Sequence, residues 1–476
     1  MNVIQRVARN TAFLVGGNVA NKALNLVLFA VIARYLGTEG FGRYSLVMAF
    51  VGLFALLLNL GLDTLAERDV AQDRRKAGAY MGNVLAIRLI LFLPVLLLIT
   101  ISANLVGYGG ETIRLFYIYA FALLATSAAS IFRLILHAHE MMEYEFLVSF
   151  IDRALVLVLS LGALFLGYGL PGLIYAILAA SAVDLVIYAY TAVKKVQKPS
   201  FRFDLGFWRA LTARSLPFAF MGVFYGIYSN IDVTMISVMK GDEATGVYNA
   251  AFKLVTALMF IPYAFSSSVF PLMARLSVGA RGSLEKAYEH SFRYLAYLAI
   301  PIGFGTTILA DRIVVRIYGG GFEGSGPALQ ILIWAGSLMF LNSLLLNALV
   351  SINRERLNLV VAATGVILHV LLNLLLIPRY GYLGAAISTV ASELAFFLMA
   401  LYYLARYLYP LPLGTVFLRP LAASLAMGLF LGALRESVTI FLLIPMAAAL
   451  YFFLLYFLGT FTARDRELLR ELRKRG

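Results

Sequence analysis

Three cations sit inside long apolar stretches of this sequence with no carboxylate one helical turn away: Lys22, Arg88 and Lys253. A desolvated Lys or Arg is a strong anchor for an anion such as phosphate. Ionisable groups at bilayer depth are costly, so they face a cavity or a partner. Arg153 is a fourth such cation. It adjoins Asp152, and neighbours in sequence point different ways on a helix, which predicts that these two do not pair. Asp63, Asp184 and Asp232 are the acids in equivalent settings and the candidates for ion coupling.

Uncharged polar residues follow the same faces. Asn18, Asn21, Lys22 and Asn25 recur at helical spacing in the first apolar segment. Tyr225, Ser229 and Asp232 form a similar stripe in the seventh. Subtracting 204 places Tyr225 on Asn21 and Ser229 on Asn25. Such stripes can line a hydrated cavity and offer hydrogen bonds to sugar hydroxyls. Each cation also reads as half of a structural ion pair, and each stripe as polar contact between helices.

Enzyme chemistry is not signalled. There is no G-x-x-x-x-G-K-[ST], no nucleophile elbow and no H-E-x-x-H. His137 and His139 in HAHE stand at a helix end without a second cluster, so no metal is expected there. No cysteine is present, which excludes disulfides and thiolate chemistry. No cofactor is implied.

The elements that must position these residues follow from composition. Hydrophobic residues make up 62%, charged residues 13%, and mean hydropathy is +0.87. A bilayer core about 30 Å thick needs about 20 apolar residues per crossing helix. The sequence holds fourteen candidate spans and no connection as long as a soluble domain. It predicts an all-α integral membrane protein. The basic start is followed by a long, Asn-studded segment, which reads as an uncleaved first span rather than a signal peptide.

A net charge of +14 invites a nucleic-acid reading, but its placement argues for topology instead. With the N-terminus inside, 25 Lys and Arg fall on the inner side and 8 on the outer. That bias fits both termini in the cytoplasm of a cell membrane protein. Arg214, Arg275 and Arg293 then read as topology anchors.

Two internal matches give the organisation. Gly37-Thr-Glu-Gly-Phe-Gly-Arg-Tyr44 and Gly241-Asp-Glu-Ala-Thr-Gly-Val-Tyr248 share G-x-E-x-x-G-x-Y at an offset of 204. Tyr168-Gly-Leu-Pro-Gly172 and Tyr380-Gly-Tyr-Leu-Gly384 match at 212. Near-equal offsets predict duplicated halves, and six spans per half make the repeat parallel. The expected division is an N-lobe (1–194), a cytoplasmic linker (195–210), a C-lobe (211–408), two further helices (409–460) and a tail (461–476). Leu468, Leu469 and Leu472 make the tail a candidate surface helix.

The stretch from Arg214 to about Val390 resembles polysaccharide-export flippases of the Wzx type. The residues that carry it are Ser215-Leu-Pro217, Ile231-Asp232, Gly246-Val-Tyr248-Asn-Ala-Ala251, Leu372-Asn373 to Pro378-Arg-Tyr-Gly381, and Gly384-Ala-Ala-Ile. Those proteins belong to the multidrug/oligosaccharidyl-lipid/polysaccharide superfamily. The resemblance implies two six-helix lobes around a central cavity and alternating access. It implies transfer of a polyprenyl-pyrophosphate-linked glycan from the cytoplasmic to the outer face, with polysaccharide polymerase or export proteins as further partners. Lys22, Arg88 and Lys253 would then line a cationic path. The extra helix pair is more typical of lipid II flippases of the MurJ type, which keeps that substrate open. A cation-coupled multidrug exporter would want an acidic cavity, and a lipid scramblase or scaffold would lack direction.

Overall fold

The computed structural model describes the backbone of residues 3–201, 204–277 and 279–460, and side chains from Leu24 onward except at 217, 218, 220 and 221. The described residues form fourteen α-helices and two 3₁₀ turns, with no strand among them. In chain order these are α1 (Val3–Asn59), α2 (Leu62–Gln72), α3 (Ala77–Val106), α4 (Gly110–Ala138), α5 (Met142–Phe165), α6 (Gly169–Lys195) and α7 (Leu205–Ala257). Then follow α8 (Phe260–Leu276), α9 (Arg281–Tyr318), α10 (Ser325–Ser351), α11 (Glu355–Tyr380), α12 (Tyr382–Tyr407), α13 (Leu413–Leu434) and α14 (Ile440–Phe457). Hydrocarbon offers no water to bond, so each backbone N–H and C=O must be satisfied within its own segment. Outward side chains such as Leu93, Leu105, Phe165 and Leu429 are largely exposed, as lipid-facing positions must be.

Among the described residues, twelve helical stretches are long and apolar enough to cross a membrane. The difference from fourteen lies where the chain doubles back inside a continuous helical stretch. α1 runs for 57 residues and leaves helical geometry at Gly37, φ 68°. The rings of Phe29 and Tyr44 lie 6.4 Å apart, whereas a straight helix would separate those residues by about 22 Å. α7 does the same at Gly241, φ 84°. There the Tyr248 hydroxyl donates to Asp232 at 2.5 Å, across a span of about 24 Å in a straight helix. Positive φ is costly for a residue with a Cβ and free for glycine. Gly37 and Gly241 are therefore hairpin turns between successive crossings, and they are repeat mates.

The second sequence match is also a pair of turns. Gly169 (φ 57°) opens α6, and Gly381 (φ 61°) separates α11 from α12. One polar contact joins the fourth and sixth crossings of each half. Thr126 meets Ser181 at 3.2 Å between α4 and α6. Asn342 meets Glu393 at 2.7 Å between α10 and α12. The repeat expected from sequence is thus visible in backbone geometry and in side-chain contacts.

The chain divides into two compact units. The first holds residues up to 253 together with 370–385. Its core joins α2, α3, α4 and α6 through Leu65, Met81, Val84, Ile135, Leu136 and Ala192. The linker after α6 belongs to this core. Ser200 N–H donates to the Gly78 carbonyl at 2.9 Å, and Trp208 Nε1 donates to Asn83 Oδ1 at 2.7 Å. A Cβ on Gly78 or Gly82 would fall on linker atoms, so two glycines one turn apart on α3 make the groove that the linker lies in.

The second unit holds residues 254–369 and those from 386 onward. Tyr288, Phe292, Phe340, Leu344 and Leu404 build its core from α9, α10 and α12. The additional pair α13–α14 packs on α9 through Leu309, Met427, Leu443 and Tyr451. Tyr451 donates to the Tyr297 carbonyl at 2.9 Å. The expected tail helix, 461–476, lies outside the described residues.

Candidate functional site

Within the first unit the two G-x-E-x-x-G-x-Y segments pack on each other. A Cβ on Gly42 would fall on the Asp242 carbonyl, and a Cβ on Gly246 would fall on the Thr38 carbonyl. Thr38 and Asp242 are repeat mates, as are Gly42 and Gly246. Asn249 Nδ2 donates to Ser45 Oγ at 2.5 Å, and these residues too are 204 apart. Each residue contacts the mate of the residue that contacts its own mate, the pattern of a two-fold, self-complementary interface. Arg43 breaks the symmetry by reaching Asp242 at 3.4 Å and Glu111 at 3.5 Å.

Beside this seam lies a cavity of about 50 Å³, lined by Phe29, Tyr44, Ser45, Ser229, Asn230, Asn249 and Lys253 among others. That volume holds one or a few waters, not a sugar. Lys253 brings the positive charge, with Nζ 4.7 Å from the centroid of the Phe29 ring. The seam needs small residues for close approach.

Of the residues expected from sequence, Lys253 and Ser229 line this cavity. Ser229 Oγ also donates to the Tyr225 carbonyl at 2.8 Å. Tyr225 is 75% exposed, and Asn25 is half-buried; neither is among the lining residues. The side chains of Asn18, Asn21 and Lys22 lie outside the described residues. Sequence reasoning missed Ser45, Asn230 and Asn249. The first and last carry a signal, since they occupy equal positions in the two repeats.

Arg88 corrects the expectation of a cation without an acid. It is fully buried, and its Nη2 donates to Asp63 Oδ1 at 2.5 Å. Nη1 donates to Ser130 Oγ at 3.1 Å and to the Ser127 carbonyl. Asp63 also accepts from Asn59 and from Ser130, each at 3.0 Å. The partner acid is absent from Arg88's own helix because it comes from the first turn of α2. Arg88 and Asp63 together clamp α2, α3 and α4.

Arg153 brings a second correction. Its Nε lies 3.7 Å from Asp152 despite their adjacency, because flexible side chains can curl toward each other at a half-exposed position. Asp184 has Arg133, Arg153 and Asp152 as charged neighbours, and its Oδ1 is buried without a hydrogen-bond partner among the described residues. Asp232 is buried and accepts from Tyr248 and from Asn373 Nδ2, each at 2.5 Å.

Arg214, read as a topology anchor, reaches Asp69 at 2.7 Å. Tyr80 donates to the same carboxylate at 2.5 Å. Burial alone would push Asp69 up. The hydrogen bonds from Tyr80 and Arg68 and the charge of Arg214 outweigh it and hold the carboxyl below its ordinary range.

Comparison with known proteins agrees with this architecture. Residues 7–277 match a family model described as "Polysaccharide biosynthesis protein", and residues 217–375 match the MatE model. A "probable low-salt glycan biosynthesis flippase" of Haloferax volcanii is 24% identical over 412 residues, 84% of each chain. A "putative O-antigen transporter" of Shigella dysenteriae is 23% identical over 82% of this chain and 97% of its own. Among solved structures, the lipid II flippase MurJ in an inward closed conformation superposes with a TM-score of 0.75 at 15% identity, covering 92% of this chain and 96% of that one. An inward-facing multidrug resistance MATE transporter of the MOP superfamily gives 0.65 at 18% identity, over 85% and 99%. At those identities the superpositions establish the fold alone.

Proposed function

The chain belongs to the polysaccharide biosynthesis protein family, within the multidrug/oligosaccharidyl-lipid/polysaccharide superfamily, and from that premise we propose that it is a flippase rather than an enzyme. Its substrate is a polyprenyl-pyrophosphate-linked oligosaccharide, carried from the cytoplasmic to the outer face of the cell membrane by alternating access. A pyrophosphate and several sugars cannot cross hydrocarbon unaided, whereas the prenyl tail can remain in lipid. The protein must therefore supply a wet, hydrogen-bonding and positively charged path.

The observation that carries this reading is the polar cavity beside the repeat seam, with Lys253 as its cation. Relatives named as glycan flippase and O-antigen transporter, matched over most of both chains, support the substrate class. Lys253 and Lys22 contact the phosphates, while Ser229, Asn18, Asn21, Asn25 and Tyr225 meet the glycan. Arg153 is a further candidate contact. The cavity admits only water as it stands, so the glycan enters when the seam parts. Asp184 and Asp232 are the coupling-ion candidates. Asp63 is engaged by Arg88, as its 2.5 Å contact requires. Both termini are cytoplasmic, and residues 1–194 and 211–408 act as the two lobes. Polymerising or export proteins are the expected partners on the outer side.

A multidrug exporter is the second reading, favoured by the MatE match over 217–375. The lysine in the cavity argues against an organic cation. Reconstituted vesicles decide between them. The protein should accelerate transfer of a fluorescent polyprenyl-pyrophosphate oligosaccharide between leaflets and leave a cationic dye unmoved. The opposite selectivity would overturn the proposal.

A further inference from the structure

α2 is a short helix of eleven residues, and it carries three acids. Asp63 is held by Arg88 of α3, and Asp69 by Tyr80 of α3 and Arg214 of α7. The third, Glu67, faces an imidazole. His137, on the last turn of α4, places Nδ1 3.1 Å from Glu67 Oε1. Its other nitrogen, Nε2, faces Oε2 of Glu145 on the first turn of α5. One ring thus lies between two carboxylates supplied by two other helices.

A neutral imidazole has one N–H and one lone pair. In this position the lone pair would point at a carboxylate oxygen. Both nitrogens can donate only when the ring holds a second proton, or when one carboxylate takes it. Either way the cluster binds one exchangeable proton. The side chains of His137 and Glu145 are about four-fifths buried, at 21% and 18% exposure, whereas Glu67 is 42% exposed and gives water access. The surrounding charges do not replace the proton. Glu143 of α5 has a buried Oε2 with no hydrogen-bond partner among the described residues, so it brings no cation to the ring. Tyr188 of α6 lies 3.5 Å from the Glu145 carbonyl. Arg74 of the following turn is engaged with Glu140 at 3.4 Å, and Arg133 lies one turn earlier on α4.

We infer that Glu67, His137 and Glu145 form a proton-binding site that ties α2 and the start of α5 to the end of α4. While the proton is bound, the tie holds. As pH rises and the proton leaves, one carboxylate loses its donor and faces a lone pair. α2 then loosens at its middle, between the acids that hold α3 and α7. The cytoplasmic placement of this end rests on the topology proposed above; the tie itself does not.

Hydrogen–deuterium exchange on the full chain in lipid nanodiscs tests the site without any transport assay. After correction for intrinsic rates, amides of 62–72 and 142–148 should exchange about tenfold faster at pH 9.5 than at pH 7. Amides in α10 should not change. In His137→Gln the same segments should exchange fast at both values. If that variant does not fold, Glu67→Gln at the half-exposed carboxylate serves instead and should shrink the step. A flat wild-type profile overturns the inference, as does a wild-type step retained in either variant. Failure of glycan-lipid transfer would overturn the flippase reading and leave this result standing.

Discussion

At Arg88, burial and pairing together decide what the residue does. A guanidinium with no exposed surface, 2.5 Å from a carboxylate, has its charge consumed by the fold. Removing one partner of such a pair leaves the other uncompensated, at a typical cost of about 3–5 kcal/mol. Arg88→Ala should therefore lower the unfolding temperature in detergent and reduce yield, and Arg88→Ala with Asp63→Asn should recover part of the loss. A single variant that melts with the wild type would show that the pair is idle. Lys253 lines the cavity and lies over the Phe29 ring. A charge-assisted contact to phosphate is worth about 1.5–3 kcal/mol, so Lys253→Ala should slow glycan-lipid transfer roughly ten- to a hundredfold. Full transfer by that variant would remove Lys253 from the substrate path.

At the scale of elements, the glycines carry the fold. The doubled helices, their turns at Gly37 and Gly241, and the later turns at Gly169 and Gly381 were legible in the sequence, because glycine spacing records where backbone must reverse or approach. Their conversion into a two-fold contact was not, since a motif does not say which face it presents. The Arg88–Asp63 pair was also hidden. Its members lie 25 residues apart on separate helices and meet because the chain turns at 73–76 between α2 and α3. Helical spacing along one segment cannot reveal a partner on another. The seam predicts that Gly42→Ala and Gly246→Ala will each cost about 1–3 kcal/mol, the usual range for overpacking, because the new methyl would meet backbone that cannot rotate away. Gly109→Ala, with open space around it and a negative φ, is the neutral control. Equal stability of all three in thermal melts would mean that the arms separate freely and that the seam holds nothing.

At the scale of the whole molecule, orientation sets the meaning of every site, because a flippase must load on one face and release on the other. Twelve long helical stretches, two of them doubled across glycine turns, would make fourteen crossings if each spans the bilayer, with the described ends of the chain on one side. Which side is a matter of charge. Lys and Arg flank the connections before α3, α7, α9 and α11, and they are sparse at the turns after Gly37, Gly241 and Gly319. Basic residues are retained on the cytoplasmic face, so the turn at 351–354 should be inside and the turn at 319–324 outside. Both carry exposed positions, and the absence of native cysteine makes each a clean reporter. Gly320→Cys in intact cells should react with an impermeant maleimide. Asn353→Cys should react only after the membrane is opened. The inverse pattern would put Glu67, His137 and Glu145 on the outer face and reverse the direction of glycan transfer. Labelling of both from outside would break the even count of crossings itself.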